Sequence, residues 1–281
     1  MPGSLLRVGV IGYPIDHSLS PKLFNYWLKK YSLNGSYEAY AVKTNEIKTF
    51  LSKMTDLGLI GFNVTVPHKQ EIINYVDHLS ESARRIGAVN TVSIKNGLFF
   101  GDNTDGFGFI ENLKQNSNFQ NFINGDCIVL GAGGAARAIV NALVEVKAKN
   151  IKIINRTQEK AEILANNFGD TVNVLNWKKR HESLKNASLV VNTTILGMRG
   201  NDQLDLNLNV LPKKALINDI VYVPIETKLL KDARVRGNPT VDGIGMLLHQ
   251  ARPAFLKWFG KDPLVTDKLR NYMLDSKKNW N

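Results

Sequence analysis

Four stretches of the chain gather side chains whose types and spacing could do chemistry. In Gly131-Ala132-Gly133-Gly134-Ala135-Ala136-Arg137, the residues Gly131, Gly133 and Ala136 fit the spacing G-x-G-x-x-G/A. Between a strand and a helix, the first glycine allows a tight turn and the second lets backbone approach a pyrophosphate. The third small residue lets helix and strand pack closely. The helix N-terminus then offers unpaired N–H groups and partial positive charge to phosphates. His17-Ser18-Leu19-Ser20-Pro21 sets two hydroxyls two residues apart. Asn63-Val64-Thr65-Val66-Pro67-His68-Lys69 puts Asn63 and Thr65 on one strand face and ends in a lysine. Gly101-Asp102-Asn103-Thr104-Asp105-Gly106 packs two acids, an amide and a hydroxyl between glycines. Open α/β sheets bind ligands at the carboxyl ends of their strands, so these polar groups are candidate ligand contacts.

Each stretch also has a plainer reading. Ser20 before Pro21 suits a helix start, with serine as the cap and proline in the first turn. Thr104 or Asp105 could do no more than cap the helix that follows. Gln250, polar on an otherwise apolar helix, could simply face solvent. Two hydroxyls at one junction, and four polar side chains between two glycines, exceed what one cap requires.

A further signal concerns the type of nucleotide. The strand at residues 151–154 is closed by Asn155-Arg156-Thr157. NAD-binding folds place an acid there, about 20 residues past the glycines, to accept from the ribose 2′-hydroxyl. This chain has no acid at that place. It offers donors and a planar cation instead, which suit a 2′-phosphate. NADP is therefore the predicted cofactor, with Thr157 also suited to cap the next helix.

The elements that must position these groups follow from hydrophobic patterning. Residues 7–12 read as a buried strand and 20–31 as a helix, followed by a strand at 37–42. A helix is predicted over 44–54 with Thr44 as its cap. A third strand covers 59–66, stopped by Pro67, and a helix follows over 68–75. Residues 80–86 form a short helix, and Asn96-Gly97 marks a hairpin turn. A helix covers 107–115, a strand 127–130, and a helix 135–146. Strands at 189–192 and 215–219 are joined by residues 197–214, which read as a polar surface loop. A long apolar helix (246–258) and a terminal helix (265–274) complete the chain.

Composition narrows the function classes. A chain of 281 residues is long enough for two domains, each with its own core. With 43% hydrophobic and 22% charged residues it reads as globular. No apolar run reaches the roughly 18 residues of a membrane helix, and residues 1–7 lack signal-peptide character. Cytoplasmic location without membrane association is the expectation. The single cysteine, Cys127, lies in a predicted core strand and reads as an inert buried thiol. The net charge of +11 comes from scattered lysines with no long basic tract and no interleaved aromatics. Small anionic ligands account for it better than nucleic acid does. The five histidines show no metal-ligand spacing, so no metal is expected.

Over essentially its whole length the chain resembles the shikimate dehydrogenase family. The motifs that carry the resemblance are HSLSP (17–21), NVTVPHK (63–69), GAVNT (87–91), GDNTDG (101–106), GAGGAAR (131–137), NRT (155–157) and DGIGMLLHQ (242–250). The resemblance implies NADPH-dependent reduction of 3-dehydroshikimate to shikimate. It implies an α/β fold of two domains. Residues 1–104 and 241–281 would form an α/β substrate domain with a mainly parallel sheet, to which the C-terminal helices return. Residues 105–240 would form a Rossmann NADP-binding domain. By the same resemblance Lys69 and Asp105 would be the catalytic pair. Ser18, Ser20, Thr65, Asn90, Tyr222 and Gln250 would bind substrate. Gly131, Ala132, Gly133, Gly134, Ala135, Asn155, Arg156, Thr157, Ile220 and Gly243 would bind the cofactor.

Two positions depart from the commonest family pattern: Ile195 stands where serine is frequent, and Val223 where asparagine is frequent. Quinate- or NAD-using relatives remain an alternative, although Ser20 and Thr157 lean towards shikimate and NADP. A non-catalytic nucleotide sensor on the same fold is a second alternative. The expected partner is a small molecule, and the expected assembly is a monomer or homodimer.

Overall fold

The computed structural model describes residues 5–275, which fold into two compact units. One contains residues 5–105 and 250–275; the other contains residues 106–249.

The first unit is built on a six-stranded mixed sheet. Its strands are β1 (Leu6–Gly12), β2 (Gly35–Ala41), β3 (Leu59–Val64), β4 (His78–Leu79), β5 (Thr91–Lys95) and β6 (Leu98–Asp102). They lie in the order β2-β1-β3-β5-β6-β4, with β1 parallel to β2 and β3, and β5 antiparallel to β3 and β6. The hairpin from β5 to β6 turns at Asn96 and Gly97, both at positive φ (51° and 78°), which suits the right-handed twist of the strands. Helices α1 (Ser20–Lys30), α2 (Ile47–Ser52), α3 (Met54–Leu57) and α4 (Glu81–Ile86) connect these strands. On α1, Leu23, Phe24, Trp27 and Leu28 are buried at helical spacing. Phe24 stacks on Tyr37 with ring centroids 4.1 Å apart, and Trp27 meets Phe255 at 5.4 Å. Each fully buried side chain of this kind contributes about 2–3 kcal/mol of transfer free energy. Gly61 allows close approach of Trp258, because a Cβ there would lie 2.2 Å from the indole nitrogen.

The second unit is a parallel, doubly wound sheet. Its strands are β7 (Asp126–Leu130), β8 (Asn150–Asn155), β9 (Val172–Asn176), β10 (Ala187–Asn192), β11 (Leu216–Asp219) and β12 (Thr240–Val241). The order β12-β11-β10-β7-β8-β9 reverses direction between β7 and β10, the topology of a Rossmann fold. Helices α5 (Asp105–Asn116), α6 (Gly134–Glu145), α7 (Gln158–Ala165) and α8 (Lys228–Val235) belong with it. Two further helices, α9 (Ile244–Phe259) and α10 (Asp267–Leu274), end the described chain. Residues of α9 from Gln250 onward belong to the first unit. Cys127 is fully buried, and burial pushes its thiol up to about 12, as suits an inert core cysteine. Among the described residues, no helix is long and apolar enough to cross a membrane.

Several local expectations are corrected. Ser20 does not cap α1. Leu19 occupies the cap position without a side-chain bond, Ser18 Oγ accepts from the Ser20 amide at 3.3 Å, and Pro21 has no N–H to satisfy. Thr44 is not a cap either. A 3-10 turn at Thr44–Glu46 precedes α2, and Glu46 folds back to accept from the Lys43 amide at 2.9 Å. Strand β3 ends at Val64 rather than at 66, and residues 65–70 form a turn closed by the His68 amide on Thr65 O at 2.9 Å. A 3-10 helix, Glu71–Tyr75, stands where a helix from 68 was expected. Residues 197–214 are no simple surface loop: Leu204, Leu206, Leu208 and Leu211 are buried in the core beside β10 and β11. Alternation sends Leu204, Leu206 and Leu208 inward while Asp205 and Asn207 stay outside, so polar composition masked a period-two pattern.

Candidate active site

One group of candidate residues gathers at an edge of the first unit, where β1 and β3 end and where β5 begins. Lys69, on the turn after β3, places Nζ 2.6 Å from Asp105 Oδ2. Asp105 is 1% exposed, whereas the lysine side chain keeps 18% of its surface. The other carboxylate oxygen, Oδ1, accepts from Asn90 Nδ2 at 2.8 Å. The Lys69 carbonyl accepts from the Val89 amide at 2.7 Å, so the lysine turn is fastened to the segment that holds Asn90. His68 anchors the same turn: its Nε2 donates to Val42 O at 2.6 Å.

Asn90 is a hub. Its Oδ1 accepts from the Thr104 amide at 3.0 Å and from the Thr91 hydroxyl at 2.9 Å. Thr104 in turn donates its hydroxyl to Gln250 O at 2.8 Å, tying the Gln250 backbone to the site across 146 positions of sequence. On the serine side, the Tyr37 hydroxyl donates to Asn63 Oδ1 at 2.7 Å, and Asn63 Nδ2 donates to Asn90 O and Thr91 Oγ1, each at 3.0 Å. The Tyr37 phenol also hydrogen-bonds the Ser20 side chain, and burial pushes it well above its ordinary value. Thr65 lies over Gly12, where a Cβ would meet its methyl at 2.5 Å. Ser18, Ser20, Thr65, Lys69, Asn90, Asp105 and Gln250 therefore all fall in one unit, linked by a continuous polar network through most of them.

Tyr37 and Thr91 are supporting residues to which the sequence pointed in no way of its own, while Asn63, Asn103 and Thr104 lay in candidate stretches and prove to be supports. Asn103 Nδ2 donates to Ala88 O at 2.9 Å, and its Oδ1 receives the Asp105 amide at 3.0 Å. Asn63 was marked by its place beside Thr65 on one face of β3. Tyr37 carries no such local mark.

A second group lies at the carboxyl edge of the second unit's sheet. Gly131 follows β7 at φ +114°, and a Cβ there would lie 2.5 Å from Thr193 Oγ1, so only glycine fits. Gly133 caps α6 with no side chain, and a Cβ at that position would meet nothing within 4 Å. Backbone N–H groups at the start of α6, together with open space over Gly133, form a cradle that fits a pyrophosphate. Arg156 and Thr157 are exposed after β8, and Asn155 Nδ2 donates to Thr157 O at 2.7 Å. Thr157 stands at the cap of α7 but makes no side-chain capping bond, which corrects the expected double role. Gly243 lies against Ile220, with a virtual Cβ only 2.3 Å from Ile220 O. Tyr222 is half-buried in this unit, and burial raises its phenol above the usual value.

Asp219, at the end of β11, is fully buried, and desolvation pushes its carboxyl up to about 6 against three hydrogen bonds that favour the ionised form. A raised pKa means that the native state holds a proton which the unfolded chain has released. Stability from this group is therefore greatest below about pH 4 and falls as pH rises to about 6, by about 3 kcal/mol. Urea unfolding of the parent and Asp219→Asn is expected to show the gap between them shifting by that amount between pH 4 and pH 7. A pH-independent gap would contradict it.

The chain is similar to known proteins over nearly its whole length. Residues 10–92 match the shikimate dehydrogenase substrate binding domain, and residues 114–198 match the shikimate / quinate 5-dehydrogenase family. The shikimate dehydrogenase (NADP(+)) of Paramagnetospirillum magneticum is 47% identical over 275 residues, covering 98% of this chain and all of that protein. A shikimate dehydrogenase solved in complex with NADP+ superposes with a TM-score of 0.89 at 35% identity, covering 97% of this chain and 96% of the other. The shikimate 5-dehydrogenase of Thermus thermophilus, solved with NADP(H) and shikimate, gives 0.85 at 34% identity, covering 97% and 99%. With near-complete coverage at these identities, the chain belongs to the shikimate dehydrogenase family.

Proposed function

We propose that this chain catalyses the reversible reduction of 3-dehydroshikimate to shikimate with NADPH, a step towards aromatic amino acids. The observation that carries the reading is the Lys69–Asp105 pair at 2.6 Å, with the Asn90 amide on the other carboxylate oxygen. Bound NADPH supplies a hydride to the carbonyl carbon. As the C=O bond becomes a C–O bond, negative charge collects on oxygen. The Lys69 ammonium stabilises that charge and gives its proton to the oxygen. Asp105 holds the ammonium in place and accepts from a substrate hydroxyl. In the reverse direction a neutral Lys69 takes the alcohol proton as hydride leaves carbon. Ser18, Ser20, Thr65, Asn90, Tyr222 and Gln250 bind the substrate's carboxylate and hydroxyls. Gly131 to Ala135 cradle the pyrophosphate, Asn155, Arg156 and Thr157 take the 2′-phosphate, and Ile220 and Gly243 complete the cofactor side.

On this reading the first unit is the substrate domain and the second the dinucleotide domain. The enzyme works in the cytoplasm on small molecules, as a monomer or homodimer. A non-catalytic sensor would need no proton donor, and the buried pair argues against one. The experiment is direct: 3-dehydroshikimate added to the purified chain should consume NADPH with equimolar formation of shikimate. Binding of NADPH without turnover would favour the sensor instead.

A further inference from the structure

A buried carboxylate that none of the proposed ligand contacts includes ties two loops of the second unit together. Asp219 Oδ1 accepts from Asn192 Nδ2 and from the Val221 amide, each at 3.0 Å, and Oδ2 accepts from the Thr227 hydroxyl at 2.7 Å. Asn192 closes β10, and its Oδ1 accepts from the amide and hydroxyl of Thr194 at 3.1 and 2.7 Å. Its Nδ2 also donates to Leu196 O at 3.1 Å. Thr227 stands at the cap of α8 and accepts from the Leu230 amide at 3.4 Å. One carboxylate thus fastens residues 193–197, residues 220–227 and the start of α8.

All three donors to Asp219 are neutral, so burial of its charge is not offset by a cation. The three hydrogen bonds are what offset that burial, so the carboxylate and its donors stand or fall together. Costly groups of this kind recur where a site must be held in one arrangement. The residue next to Asp219 is Ile220, whose amide donates to Asn192 O at 3.1 Å and whose carbonyl lies against Gly243. That close approach leaves Ile220 little room to shift.

We propose that Asp219 is a positioning residue of the dinucleotide site. Through Asn192 it sets the loop after β10, and through Val221 and Thr227 it sets the segment that carries Ile220 and Tyr222. It touches no ligand and acts through the backbone it holds. The proposal rests on the reading that Ile220 and the glycine turn take NADP.

The test is NADPH binding to the full chain, followed by the fluorescence of the reduced nucleotide, for the parent, Asp219→Asn, Thr227→Val and Thr227→Ser. Thermal unfolding of each is measured alongside. Asp219→Asn keeps the shape but leaves the Thr227 hydroxyl proton without an acceptor. Asp219→Asn and Thr227→Val are expected to bind NADPH about ten-fold more weakly, while Thr227→Ser binds within about two-fold of the parent. A carboxylate with a purely structural role would lower the unfolding midpoints and leave all four dissociation constants equal. That result overturns the positioning role alone. If the parent itself does not bind NADPH, the cofactor reading fails, and this proposal fails with it.

Discussion

Replacing Lys69 with alanine is expected to lower turnover by about 10²–10⁴-fold, the usual worth of a positioned acid–base group. The KM for NADPH should stay within about two-fold, because the variant touches no residue of the glycine turn. Two effects of the substitution must be kept apart. The first is loss of the proton donor. The second is the carboxylate left behind: Asp105 is 1% exposed and would lose the ammonium 2.6 Å away. Removing one partner of a buried pair costs stability, up to about 3–5 kcal/mol. Here the cost should fall below that range, because Asn90 still donates to Oδ1 and the lysine side chain is partly exposed. Steady-state kinetics at a temperature well below the unfolding midpoint of the variant separates the two effects. Asp105→Ala is the companion: it should also lower turnover, by freeing the ammonium to move. Near-parental turnover in Lys69→Ala, with activity abolished in Asp105→Ala, would reverse the assigned roles.

The second large effect concerns the cofactor. Arg156 is exposed on the turn after β8, beside Asn155 and Thr157. A guanidinium meeting a phosphate makes paired, charge-assisted hydrogen bonds, each worth about 1.5–3 kcal/mol. Arg156→Ala is therefore expected to raise the KM for NADPH by about 10–100-fold while leaving NADH kinetics nearly unchanged. Selectivity collapses because the favoured cofactor is lost, not because the other is gained. Kinetics with both nucleotides checks this, and an equal loss with NADPH and NADH would show that Arg156 reads something other than the 2′-phosphate.

How much of this was legible before folding differs from residue to residue. The glycine turn was legible because its chemistry is local: one stretch contains the strand end, the turn and the helix start. The Asn96-Gly97 hairpin was legible for the same reason, since positive φ at two successive residues is a local demand. The motif residues Lys69, Asn90 and Asp105 could be named, and the structure brings them within hydrogen-bond reach of one another. What holds them was not legible. Tyr37 reaches Asn63 across 26 positions, and Thr104 reaches Gln250 across 146. No periodicity marks such pairs, because they are products of sheet order. Leu204, Leu206 and Leu208 were missed because polar neighbours dominate the composition of their segment. The Asp219 hub was missed because an acid at the end of a strand has no sequence mark separating a buried tether from a surface charge. The expected helix caps at Ser20, Thr44 and Thr157 failed. At Ser20 and at Thr44 a neighbouring side chain, Ser18 or Glu46, accepts from the backbone instead, and Thr157 makes no side-chain capping bond.

The central claim is that this chain is built for shikimate and NADP. It is tested most directly by measuring kcat/KM for shikimate and for quinate, each with NADP and with NAD, on one preparation. Shikimate with NADP is expected to be strongly favoured among the four combinations. A large preference for quinate or for NAD would contradict it.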